Sequence, residues 1–197
     1  MIILDAISLT VIPIVVWMIT KNIWITVIAI FFCLRFMNSP DMFIKQPQSN
    51  IFYSPTSGYI KLIREDDTYI YISLFLNIFD NHTQYIPVDS ILTNIKHYNG
   101  TFVPAYREHA INNTRVENTL SSTKYDFNYT ITQITGIVTR RIISLQKINT
   151  VLKPGERLGF IMLGSRVDIK VPRKNVESIL VKSNSHIQAM TPMFSLK

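Results

Sequence analysis

Apolar and polar positions divide the chain into a front stretch, a short polar joint and a body. Residues 6–36, AISLTVIPIVVWMITKNIWITVIAIFFCLRF, are apolar nearly throughout and carry only two charges, Lys21 and Arg35. Lys21-Asn22 cuts the run into two pieces. As a helix of roughly 14 residues, each piece covers about 21 Å, short of the ~30 Å hydrocarbon core of a bilayer. Three arrangements fit: a re-entrant hairpin turning at Lys21-Asn22, one long transmembrane helix whose Lys21 snorkels, or a secretory signal. The signal has the least support, because no basic segment precedes the run and no small-x-small cleavage site follows either piece. Trp17 and Trp24 flank the break as interfacial anchors do. We expect a membrane-associated helical hairpin over 1–37, with a buried pair of core helices as the alternative. Residues 38–50 are polar with two prolines and read as a linker.

From Ile51 the period shortens to two. Runs rich in Ile, Val, Tyr, Phe and Thr predict strands at 51–54, 58–64, 69–77, 90–97, 124–135, 137–146, 157–163, 166–171 and 177–182. Alternation is clearest in Tyr69-Ile-Tyr-Ile-Ser-Leu-Phe-Leu and in Arg166-Val-Asp-Ile-Lys-Val. Residues 105–116 fit neither period well. Many short strands separated by turns predict a mainly β body, barrel-like or sandwich-like, over 51–197.

Length and composition narrow this only slightly. A chain of 197 residues holds one domain with a core and at most a small appendage. Cys33 is the sole cysteine, so no internal disulfide and no cysteine-type zinc site can form. The net charge of +7 is uneven. Residues 139–197 hold eleven Lys/Arg against three acids, so the rest is close to neutral. Such a half attracts an anionic partner, a membrane leaflet or nucleic acid, unless its cations only solvate strand faces. No helix-turn-helix or RNP-like pattern accompanies the charge, and we expect no nucleic-acid partner.

The chain has no P-loop, no strand–GxGxxG–helix and no G-x-S-x-G elbow, so nucleotide binding and ordinary serine hydrolysis are unsupported. Of the four histidines, His82 follows a predicted strand and precedes Pro87, while His97, His109 and His186 lie in polar surroundings. No histidine pair has metal-site spacing along a helix, and no metal is expected. Ser165 follows Gly164 inside a strand-like run, GERLGFIMLGSRVDIKVP. Periodicity alone reads that Gly-Ser as a bend.

Several segments together resemble the short form of phosphatidylserine decarboxylase. GERLGFIMLGSRVDIKVP is similar to the family's self-cleavage run. GIVTRRIISLQKINTVLKPGERLG resembles its G-x-V-A-R-R-I approach to that run. ISLFLNIFDNHTQYIPVDSIL resembles a strand ending in x-x-H-x-x-x-x-P-V, which puts His82 on the family histidine. The order and spacing agree over nearly the whole chain. The resemblance implies a lyase whose precursor cuts itself between Gly164 and Ser165. Ser165 becomes a pyruvoyl cofactor, and His82 serves as the catalytic acid/base. The implied substrate is phosphatidylserine, decarboxylated to phosphatidylethanolamine at a membrane. The implied partners are the large and small chains of one precursor, with a homo-oligomer left open. Two departures bear on this. The family turn S-P-x-D-G reads Ser54-Pro55-Thr56-Ser57-Gly58, so Ser57 replaces an aspartate assigned to a charge relay. Asp80 could substitute if it lies on His82's face of a strand. The family's E-N-E-R reads Glu117-Asn118-Thr119-Leu120. An uncleaved, non-catalytic membrane-bound relative with a lipid-binding or structural role is therefore the competing expectation.

Overall fold

The structure is a computed structural model that describes residues 13–37, 41–42, 47–137, 141–161 and 164–197. The chain divides into two compact units, Met1–Pro40 and Asp41–Lys197.

In the first unit, residues 13–20 are helical and a second helix, α1, spans Ile23–Met37. The break between them is well defined. The Lys21 N–H closes on the Trp17 carbonyl at 2.8 Å, and Lys21 turns left-handed with φ of 52°. Asn22 then caps α1: its Oδ1 accepts the N–H groups of Trp24 and Ile25 at 3.0 and 3.3 Å. The Lys21 ammonium lies over the Trp17 ring. The two-helix expectation is met, but a single long helix is not formed. At 15 residues, α1 covers about 22 Å, and no helix among the described residues is long and apolar enough to cross a membrane. The part of the expected hairpin before residue 13 lies outside the described residues.

The second unit is mainly β, as expected. Its strands are β1 (Ile51–Tyr53), β2 (Gly58–Glu65), β3 (Tyr69–Leu76), β4 (Thr83–Tyr85), β5 (Ser90–Tyr98), β6 (Arg115–Ser122) and β7 (Asn128–Ile134). There follow β8 (Ile142–Ser144), β9 (Val151–Leu152), β10 (Arg157–Ile161), β11 (Ser165–Pro172), β12 (Val176–Ile179), β13 (His186–Ile187) and β14 (Pro192–Leu196). An eight-stranded antiparallel sheet runs β13-β2-β3-β11-β7-β6-β5-β9, beside two three-stranded sheets, β1-β14-β12 and β4-β10-β8. Strand β6 was not anticipated. Its inward positions are Val116, Asn118, Leu120 and Ser122, so half of its buried face is polar and hides the period. The run expected as a strand over 137–146 contracts to β8 within its described part, and that over 124–135 begins at β7.

The core gathers Phe52, Ile70, Ile72, Leu74, Tyr129, Ile131, Val167, Ile169 and Phe194, all with 1% exposure or less. The joint before the body is tied down where described. Asp41 Oδ1 accepts both the N–H and the Nε–H of Arg157, and the Tyr125 hydroxyl donates to the Ser49 carbonyl at 2.6 Å.

Candidate active site

The site forms where the chain leaves one sheet for another. Strand β10 belongs to a three-stranded sheet and β11 to the eight-stranded one. Gly164 opens the second of these runs with φ of +66°, a conformation that favours glycine. Along β11, burial alternates strictly: Ser165, Val167, Ile169 and Val171 face inward. The parity that packs three aliphatic side chains thus carries the Ser165 hydroxyl to the interior. It is fully buried and has no hydrogen-bond partner among the described residues. An orphaned buried hydroxyl costs about 1–3 kcal/mol.

Pairing of β4 with β10 delivers the histidine. The N–H of Ile161 donates to the His82 carbonyl at 3.1 Å, which brings His82 beside the end of β10. The His82 ring, 3% exposed, then accepts the Gly164 N–H at Nε2, 3.0 Å away. Its Nδ1 lies 2.9 Å from the Asp80 carbonyl oxygen. A carbonyl only accepts, so Nδ1 carries the proton and Nε2 the lone pair.

The candidate relay residues are placed differently from expectation. Asp80 lies in the turn after β3, not in a strand, so the shared-face argument fails. Its backbone carbonyl supports His82, while its carboxylate accepts the Asn77 N–H at 2.8 Å and pairs with His186 Nε2 at 2.6 Å. The Ser54–Ser57 turn does pack against the His82 segment, since Pro55 accepts the Tyr85 N–H at 2.7 Å. The Ser57 hydroxyl, however, accepts the Ala189 N–H at 2.9 Å and donates to Gln188 Oε1 at 3.3 Å.

Sequence reasoning missed the buried amides beneath the histidine. Gln84 Nε2 donates to the His82 carbonyl at 2.8 Å, Gln133 Nε2 to Gln84 Oε1 at 2.6 Å, and Asn118 Nδ2 to Gln133 Oε1 at 3.0 Å. All three amides are fully buried and donate in one direction, toward His82. Nearby, Tyr85 accepts from Asn81 Nδ2 at 3.0 Å, and burial pushes its phenol pKa up, which keeps it neutral. Arg166, next after Ser165, is clamped by both carboxylate oxygens of Asp168 at 2.6 and 2.7 Å and donates to Ser73 Oγ at 3.2 Å.

A buried serine hydroxyl, a peptide bond following a left-handed glycine and an imidazole thus lie together at one crossover between sheets. The model of the phosphatidylserine decarboxylase family matches residues 30–193, and the chain belongs to that family. It is 28% identical to the phosphatidylserine decarboxylase proenzyme of Carboxydothermus hydrogenoformans, over 89% of this chain and 86% of that protein. It is 34% identical to the proenzyme of the same name from Neisseria gonorrhoeae, over 72% of this chain and 56% of that protein. For the one from Rickettsia bellii the figures are 34%, 75% and 68%. The matched region thus spans just over half of the Neisseria protein. No solved structure matches the chain.

Proposed function

We propose that this chain is a proenzyme that cuts itself between Gly164 and Ser165 and then, through a pyruvoyl group at residue 165, converts phosphatidylserine to phosphatidylethanolamine and CO2. The observation that carries this reading is the Ser165 hydroxyl, buried, without a partner among the described residues and next to a glycine whose N–H engages the imidazole. The residues present fit the group, because a ketone oxygen at residue 165 would need no lost hydrogen bond to form there.

Ser165 Oγ adds to the Gly164 carbonyl carbon, the bond from that carbon to the Ser165 nitrogen breaks, and the hydroxyl proton ends on the freed amine. The resulting ester loses the Ser165 α-proton and the Gly164 carboxylate. The dehydroalanine left behind takes up water as its imine and releases ammonia. His82 holds Nε2 as its accepting atom through the Asp80 carbonyl. To take the Ser165 proton it must exchange the Gly164 N–H for it. A carbonyl fixes the tautomer but carries no full charge, so the imidazolium is held less firmly than beside a carboxylate. Once formed, the pyruvoyl carbonyl supplies an electron sink for loss of CO2. In this reading the N-terminal unit keeps the body at a lipid surface, supported by its exposed Trp17, Ile19, Trp24 and Ile28.

Intact mass under denaturing conditions tests the proposal. We expect two chains, 1–164 and 165–197, the second blocked at its N-terminus by a carbonyl. Ser165→Ala stays whole and inactive. A single uncut, inactive wild-type chain would leave the non-catalytic membrane-bound relative as the correct reading.

A further inference from the structure

We infer that Gly136 is a positioning residue for self-processing: its bare Cα is the seat against which the Gly164 carbonyl is held for attack. The inference rests on cleavage at Gly164–Ser165, proposed above, and goes beyond it.

Register brings the two glycines together. Strands β7 and β11 pair through Ile134 and Arg166, and the chain continues from this last pair to Gly136 on one side and Gly164 on the other. A Cβ built on Gly136 would lie 2.0 Å from the Gly164 carbonyl oxygen and 3.1 Å from its carbonyl carbon. No side chain larger than hydrogen fits without moving that carbonyl, the group that Ser165 Oγ must reach. Gly164 is the reverse case. A Cβ there meets nothing within 4 Å, and glycine is needed only for its φ of +66°.

Gly136 cannot easily retreat. The carbonyl of Thr135, the preceding residue, accepts from Asn113 Nδ2 at 2.7 Å. Fully buried Asn113 also donates to the Val103 carbonyl at 2.8 Å, while its Oδ1 accepts the Val103 N–H at 2.9 Å. The Thr135 N–H and hydroxyl both donate to the Thr114 carbonyl, at 3.1 and 2.9 Å. One side of the seat is therefore bolted to the 101–114 loop. An added methyl at residue 136 is relieved by shifting Gly164, and a shift of about 1 Å at a reacting centre costs on the order of a hundred-fold in rate.

The experiment compares three full-length proteins by the rate at which residues 165–197 are released, read by mass. Wild type is expected to cut. Gly136→Ala is expected to cut about a hundred-fold more slowly, with a cooperative melt. Hydroxylamine at neutral pH, which cleaves esters ahead of amides, should release little of fragment 165–197 from it at early times, because the ester forms slowly. Val176→Ala is the packing control, since Val176 is fully buried in the β1-β14-β12 sheet, which holds none of the site residues. It should cut at the wild-type rate. Equal slowing of both variants, or normal cutting by Gly136→Ala, overturns the inference while leaving the cleavage reading intact. An uncut wild type overturns both. If Gly136→Ala fails to fold, Asn113→Ala, which unbolts the seat without filling it, must slow cutting in the folded protein, and unchanged cutting there overturns the inference.

Discussion

Ser57 stands where the family's turn carries an aspartate, and its hydroxyl is engaged with the Gln188–Ala189 backbone and side chain instead of the histidine. That assigns it a structural task with a measurable size. Ser57→Ala leaves the buried Ala189 N–H without its acceptor, which costs about 1–3 kcal/mol. Chemical denaturation of the uncut Ser165→Ala protein, with and without the second change, reads this difference. Cleavage by folded Ser57→Ala, with Ser165 intact, should proceed at the parental rate. Slower cleavage at unaltered stability would return Ser57 to the relay. His82 is the converse case. His82→Gln keeps a polar group of similar reach but removes the titrating nitrogen, so the variant should melt near wild type and remain a single chain. Normal cutting by that variant would remove His82 from the chemistry. Gln133→Leu probes the layer below. It strands the buried Gln84 Oε1 and leaves Asn118 Nδ2 only its bond to the Ile131 carbonyl, so a loss of about 1–3 kcal/mol is expected.

At the scale of elements, the proposed cut falls at the start of β11, and every described strand after it except β12 pairs with a strand from before it. Strand β11 lies between β3 and β7, β13 pairs with β2, and β14 pairs with β1. His186 Nε2 adds a 2.6 Å contact to Asp80 Oδ1 across the cut. The fragment 165–197 should therefore co-elute with 1–164 in native size-exclusion chromatography and separate only in denaturant. Release of the fragment in native buffer would mean that this interleaving does not survive processing. The same elements show what could be read from sequence. Strands β3 and β11 declared themselves because each buried face is nearly all aliphatic, so the period of two is visible. Strand β6 did not, because Asn118 and Ser122 occupy inward positions that only the folded amide chain and turn explain. The Gly164–Ser165 and His82 positions were legible through resemblance. Gly136 lay within the quoted G-x-V-A-R-R-I run without its role showing, and Asn113, Gln84 and Gln133 were not legible, since Asn113 acts through Thr135 and the two glutamines through each other, and no local pattern encodes such distant pairs.

Over the whole molecule, part of the cationic charge of the C-terminal half is paired within the body. Arg157 pairs with Asp41, Arg166 with Asp168 and Arg173 with Glu65, while the Lys170 ammonium sits 3.9 Å from the Tyr69 ring centroid. Paired and stacked cations project a weaker field than their number suggests, and salt screens what remains within about 10 Å at 0.1 M. The N-terminal unit, in contrast, exposes Ile14, Trp17, Met18, Ile19, Ile23, Trp24, Val27 and Ile28 together. Apolar contact, then, should dominate attachment to a lipid surface. The full chain is expected to sediment with phosphatidylserine-containing vesicles and to stay bound when salt is raised, because burial of apolar surface is not screened. Deleting residues 1–40 should leave the body in the supernatant. That deletion keeps Asp41 on Arg157, so the body retains the ties of its own unit. Release of the intact chain by salt, or continued sedimentation of the shortened one, would shift the attachment to the basic face of the β body.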